Sequence, residues 1–121
     1  MAAETRTAYD VAADLVEGEA EADLRAAASR AYMAGFQHLL RHADGLGFTP
    51  ENTGRDHGRL KGYLLNSGDP TLEAIGYELD KLRHTRNGAD YHIWAPFPEP
   101  HARYAVERAH AIIHHLYPAG E

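Results

Sequence analysis

Apolar positions recur along this chain at steps of three and four residues and nowhere alternate with period two over a useful length, which predicts helices without a sheet. From Thr7 to Glu17, Tyr9, Ala12, Ala13 and Val16 share one helical face. Thr7 or Asp10 can cap its start, and Gly18 interrupts it. The alanine-rich segment from Glu19 to about Gly45 follows, with Leu24, Ala27, Ala28, Ala31, Tyr32, Gly35, Leu39 and Ala43 on a stripe that predicts a long central helix. Small residues at Ala27, Ala28, Ala31, Ala34 and Gly35 let a neighbouring helix approach closely, while Tyr32, Phe36 and Leu39 fill the volume around them.

The run G-L-G-F-T-P-E-N-T-G-R-D from Gly45 to Asp56 concentrates glycine, proline and Asx residues, which ends that helix and predicts a loop. Asp56 is placed to cap a short third helix from His57 to Asn66, carried by Leu60, Leu64 and Leu65. Asp69 followed by Pro70 signals a new helix start. From there Leu72, Ile75, Leu79, Leu82, Arg86, Ala89 and Ile93 form one stripe, in which Arg86 breaks an otherwise apolar seam. The run A-P-F-P-E-P stops this fourth helix no later than about Trp94, because each proline pushes its predecessor out of the helical region. Pro100 suits a first helical position. Tyr104 or Ala105, then Val106, Ala109, Ile112, Ile113 and Leu116, predict a last amphipathic helix closed by Pro118. The expected architecture is all-α, an up-down bundle of four main helices plus a short additional one, with residues 1–121 as a single domain.

At 44% apolar and 25% charged residues the composition is that of an ordinary soluble globular protein, and no apolar run approaches the roughly 20 residues of a membrane span. M-A-A-E-T-R-T is not followed by the apolar core of a secretory leader, and the chain has no cysteine, so a cytoplasmic protein without disulfides or thiolate chemistry is expected. A net charge of −6 argues against general electrostatic binding of nucleic acid, so any RNA contact must be local. Nine histidines bring acid–base work, metal binding and pH response into view.

The chemistry concentrates in L-R-H-T-R-N-G-A-D-Y-H, Leu82 to His92, at the end of the fourth helix. An arginine, an asparagine and a nearby histidine supply a permanent cation, a polar orienting group and a proton carrier, which together can act on a phosphodiester. Spacing alone does not select Arg86 and His92. Five residues lie between them, but five also separate Arg108 from His114, and six separate Arg103 from His110 and Arg108 from His115, all in the last helix. On an ideal helix the step from Arg86 to His92 turns the side chains about 120° apart. The pair can meet if the helix loosens at Gly88, or if the site is built between two protomers related by a two-fold axis.

The run S-R-A-Y-M-A-G-F-Q-H-L-L at Ser29 to Leu40 resembles the S-R-A-Y-Y-A-A-F-H-A segment of HEPN domains, and L-R-H-T-R-N-G-A-D-Y-H resembles their L-x-x-L-R-x-x-A-D-Y segment. The predicted helix order is also similar, so the resemblance covers nearly the whole chain. It implies a HEPN-like bundle and a metal-independent endoribonuclease, acting as a homodimer in a toxin–antitoxin, abortive-infection or CRISPR-associated defence system. An antitoxin or a larger defence complex would be its partner, RNA its substrate, and no cofactor or metal would be required. The family's catalytic motif falls on Arg86 and His92, with Asn87 and Tyr91 as auxiliaries. Some members are neutralised through a tyrosine two residues beyond the histidine; here that position is Trp94, so that mode is not implied. In the implied chemistry His92 takes the proton of a ribose 2′-hydroxyl that attacks the adjacent phosphorus, and Arg86 holds the phosphate. Arg59, Lys81, Arg83 and His84 offer a local positive rim. The alternative is a catalytically inactive helical subunit that binds a partner protein or a nucleotide.

Blander roles stand beside these. Arg86 can be a seam arginine paired with Asp90 one turn on. His38 with His42 and His110 with His114 have metal-ligand spacing but no evident third ligand. Glu107 and His110 form a single Glu-x-x-His where a di-iron bundle needs two. Tyr32, Phe36 and Tyr63 read as core, the acidic run Glu17, Glu19, Glu21, Asp23 as a solvated helix start, and Trp94 as an interface anchor or a lid over the last helix.

Overall fold

The computed structural model describes residues 7–18, 20–44 and 46–116, with side chains as far as His114. Glu19, Gly45 and Pro118, with the leader expectation at the N-terminus and the core role of the Leu116 side chain, lie outside the described residues. Five helices follow in the expected order: α1 (Ala8–Leu15), α2 (Glu21–Ala43), α3 (Asp56–Leu65), α4 (Pro70–Tyr91) and α5 (Glu99–Leu116). The described residues contain no strand, only an isolated bridge between Asp44 and Phe48. Among them no helix is long and apolar enough to cross a membrane.

Local chemistry sets most of the boundaries. Thr7 and Asp10 together form a capping box, the Thr7 hydroxyl accepting from the Asp10 N–H while the Asp10 carboxylate accepts from the Thr7 N–H. Asp69 accepts from the Thr71 N–H, with Pro70 at the first position of α4. Asp56 does something other than cap. It lies inside the first turn of α3, and its carboxylate turns back to accept from the Glu51 N–H at 3.0 Å, the Asn52 N–H at 2.8 Å and Arg59 at 2.8 Å. Those loop amides have no helical partner, so the carboxylate is better placed on them than on α3.

Helix α2 is the centre, in contact with each of the other four. Its predicted stripe is the buried one, from Leu24 through Ala27, Ala28, Ala31, Gly35 and Leu39 to Ala43. A side chain at Gly35 would meet Leu82 of α4 at 3.0 Å and Ile112 of α5 at 3.4 Å, so the bare backbone there lets three helices converge. On α4, Ile75, Leu79, Leu82 and Ala89 are buried as the stripe predicts, whereas Ile93 is 62% exposed because the helix stops at Tyr91 and the chain turns at His92. On α5, Ala105 rather than Tyr104 faces the core. Trp94 is 89% exposed and covers nothing, so it is no lid; the aromatic that the connection does bury is Phe97.

Candidate functional site

One face of α2 mates with the end of α4. Arg25, Ser29 and Tyr32 succeed one another at steps of four and three, and each meets a different part of α4. The Arg25 guanidinium donates to the carbonyls of Gly88 at 3.3 Å, Ala89 at 2.9 Å and His92 at 3.4 Å, and also to that of Ala95. These carbonyls sit at the helix end and in the turn after it, those of Gly88 and His92 also accepting the His92 and Ala95 N–H, and a cation suits the negative end of the helix dipole. Glu21 completes the clamp, pairing with Arg25 at 3.0 Å and accepting from the Phe97 N–H at 3.3 Å. The Glu21 carboxyl is held below its ordinary range, mainly by that bond to Arg25. The Ser29 hydroxyl donates to Asp90 at 3.3 Å.

Tyr32 receives Arg86. The guanidinium carbon sits 4.6 Å from the Tyr32 ring centre, and Arg86 also reaches Asp90 at 3.6 Å and donates to the Tyr91 hydroxyl at 3.3 Å. Its Nε is buried with no hydrogen-bond partner among the described residues. The platform beneath is itself fixed: Tyr32 stacks on Phe36 with ring centres 5.6 Å apart, and its hydroxyl lies 2.8 Å from His57 Nδ1. Burial raises the Tyr32 phenol, opposed by Arg86 and Arg83. Burial also pushes His57 down to about 4, with Arg83 adding to the effect and Asp80, 3.9 Å away, opposing it. His57 is therefore a neutral imidazole near pH 7.

Two cavities flank this end of α4. One of about 580 Å³ lies at the α4–α5 junction and is lined by His84, Asn87, His92, Phe97, His101 and Tyr104, among others. The other, of about 450 Å³, is lined by Ser29, Tyr32, Phe36, Asn52, Asp56 and Arg86. Arg86 and His92 thus open into different cavities, the divergence that their spacing implies. Helix α4 runs unbroken through Gly88, with the His92 N–H donating to the Gly88 carbonyl at 3.3 Å, so the helix does not loosen to bring them together.

The remaining candidates separate. Asn87 joins His92 and His84 in the larger cavity. Tyr91 is 62% exposed and partners Arg86 through its hydroxyl. Arg83 and His84 are exposed on α4, and Lys81 pairs with Glu78 at 3.5 Å. Arg59 is tied into the loop before α3 by Asp56, by the Thr49 carbonyl and by the face of Phe48, so its donors are largely committed. Among the described residues no three histidine or carboxylate side chains converge as a metal-ligand set. Arg25, His57, Phe97 and His101 escaped the sequence reading. The available signal was the alignment of Arg25 with Ser29 and Tyr32 on one helical face.

Compared with known proteins, the chain matches no family model, no curated protein and no solved structure.

Proposed function

We propose that this protein is a HEPN-like, metal-independent endoribonuclease whose site is composed between two copies of the chain. What carries the reading is that the two runs bearing the resemblance meet in space. Ser29 bonds Asp90 at 3.3 Å, and Tyr32 lies under Arg86 at 4.6 Å, so the run on α2 is the platform for the run on α4. The divergence of Arg86 and His92 is what a composite site resolves, since Arg86 of one copy can complete His92 of the other across a two-fold axis. Tyr91, Ile93 and Trp94, exposed by 62%, 62% and 89%, place an apolar surface beside His92 suited to such an association.

In this reading one His92 removes the ribose 2′-hydroxyl proton. The 2′-oxygen attacks the adjacent phosphorus, the bond to the 5′-oxygen breaks, and the second His92 returns a proton to that leaving oxygen. Arg86 neutralises the charge growing on the phosphate oxygens. The products are a 2′,3′-cyclic phosphate and a 5′-hydroxyl, and DNA, which lacks the nucleophile, survives. A toxin or defence role follows from the resemblance, with an antitoxin or larger complex as partner.

A second reading is a non-catalytic helical subunit of the same architecture. It is favoured by the engagement of Arg86 with Asp90, Tyr91 and Tyr32 inside one chain. Incubating the purified protein with a mixed RNA pool in excess chelator, beside Arg86→Ala and His92→Ala, separates the two. Cleavage by the parent alone, leaving cyclic-phosphate ends, supports the ribonuclease. Equal cleavage by all three preparations, or none by the parent, rejects it for the isolated protein.

A further inference from the structure

The cavity at the α4–α5 junction holds polar groups that the fold does not use. Neither the Asn87 amide nor the imidazoles of His84 and His92 hydrogen-bond another described residue, while the walls are mostly apolar. Two aromatic walls are held in place: His101 stands edge-on to Phe97 with ring centres 5.5 Å apart, and Arg108 lies 4.8 Å over the face of Tyr104. Phe97 is buried as the floor of the connection, which Arg25 and Glu21 anchor to α2. No carboxylate lines the cavity, although the chain carries a net charge of −6. Its volume of about 580 Å³ falls in the range of small-molecule pockets.

We propose that this cavity is a pocket for one unpaired nucleobase, so that the strand cleaved is single-stranded where it enters; the inference rests on the ribonuclease reading and extends it to a base subsite beside His92. Aromatic and proline side chains line the cavity and suit the faces of a planar heteroaromatic ring, whose polar edge needs a group that both donates and accepts. Asn87 has both in one amide. The absence of carboxylates spares the attached phosphate from repulsion. A base in a duplex has its edge and faces occupied and cannot enter, whereas an unstacked one gains the aromatic contacts. A base seated here leaves its ribose near His92 on the cavity wall, the group that must reach the 2′-hydroxyl.

The test is a titration of the full-length protein, in chelator, with AMP, GMP, CMP and UMP, and with ribose 5-phosphate as the base-free probe, followed by calorimetry and by NMR signals of Asn87 and His101. The pocket predicts that at least one nucleotide binds and moves those signals while ribose 5-phosphate does not. Ala95→Trp, which fills the mouth from an exposed position on the connection, and His101→Ala should each weaken binding by about tenfold with an unchanged melting curve. Absence of nucleotide binding, equal binding of ribose 5-phosphate, or binding indifferent to both substitutions overturns the pocket. Binding is read without RNA cleavage, so the two ideas fail separately. Nucleotide binding by a protein that cleaves no RNA keeps the pocket and rejects the nuclease, and cleavage without nucleotide binding does the reverse.

Discussion

Arg25 on α2 donates to the carbonyl of Ala89 at 2.9 Å, in the last turn of α4. The same guanidinium holds the carbonyls of Gly88, His92 and Ala95, so one side chain positions the turn that presents His92. Arg25→Met keeps the length of the stem and removes the donors. It should cost about 1.5–3 kcal/mol, the range for hydrogen bonds to a charged group, in urea denaturation. Arg25→Lys should recover only part of this, because a single ammonium cannot fork across several carbonyls. If Arg25→Met melts with the parent, the clamp is not what fixes the end of α4.

His57 makes stability fall with acid. Its native pKa of about 4 lies below the ordinary 6.5, so between those values the unfolded chain binds a proton that the native protein does not. Stability is insensitive to this group above about pH 6.5, drops as pH falls from there to about 4, and changes no further through it below that. Asp80 opposes the shift, and Arg83, Lys61 and Arg86 reinforce it. Denaturation of the parent and of His57→Gln across this window should give curves that converge as pH falls, the parent losing on the order of 3 kcal/mol more. Parallel curves would show that His57 titrates alike in the native and unfolded chains.

Much of this arrangement is written in helix periodicity and in prolines. Asp69 and Pro70 start α4, and the prolines after His92 prevent its continuation; the stripe from Ile75 to Ala89 names its buried face in advance. What periodicity does not encode is the direction a polar side chain takes at an element's end. Asp56 has the sequence context of a helix cap, yet the unpaired amides of Glu51 and Asn52 claim its carboxylate. Trp94 and Phe97 stand three residues apart in an irregular connection, and which of them turns inward depends on Arg25 and Glu21, about seventy residues earlier. The divergence of Arg86 from His92 was legible, because a six-residue step on a helix is a matter of angle. The platform that receives Arg86 and the cavity that His92 lines were not, since Tyr32 and His101 sit on other helices.

Gly88 is a third point of test. A side chain there would meet nothing within 4 Å, and α4 passes through it without a break. Glycine therefore only weakens the helix at this position. Gly88→Ala should stabilise the fold by about 0.5–1 kcal/mol in thermal or urea denaturation. A loss of stability instead would mean that α4 opens at Gly88 in solution, restoring a route by which His92 swings toward Arg86 within one chain.

A composite site requires that the protein self-associate through the surface beside His92. Tyr91, Ile93 and Trp94 are exposed large apolar residues of that surface, and Trp94, 89% exposed, is so little covered that truncating it should leave the monomer's melting temperature unchanged. An aromatic anchor at the centre of an interface commonly carries 2 kcal/mol or more, so Trp94→Ser should weaken dimerisation by roughly thirtyfold, and Ile93→Ser together with it further still. Sedimentation reads the assembly directly. Cleavage assayed across protein concentrations should fall with the dimer and return when the variant is concentrated, because the variant alters assembly and leaves Arg86 and His92 in place. A parent that sediments as a monomer while cleaving RNA in an Arg86- and His92-dependent way would sink the composite site, and the two side chains would then have to meet by motion within a single copy.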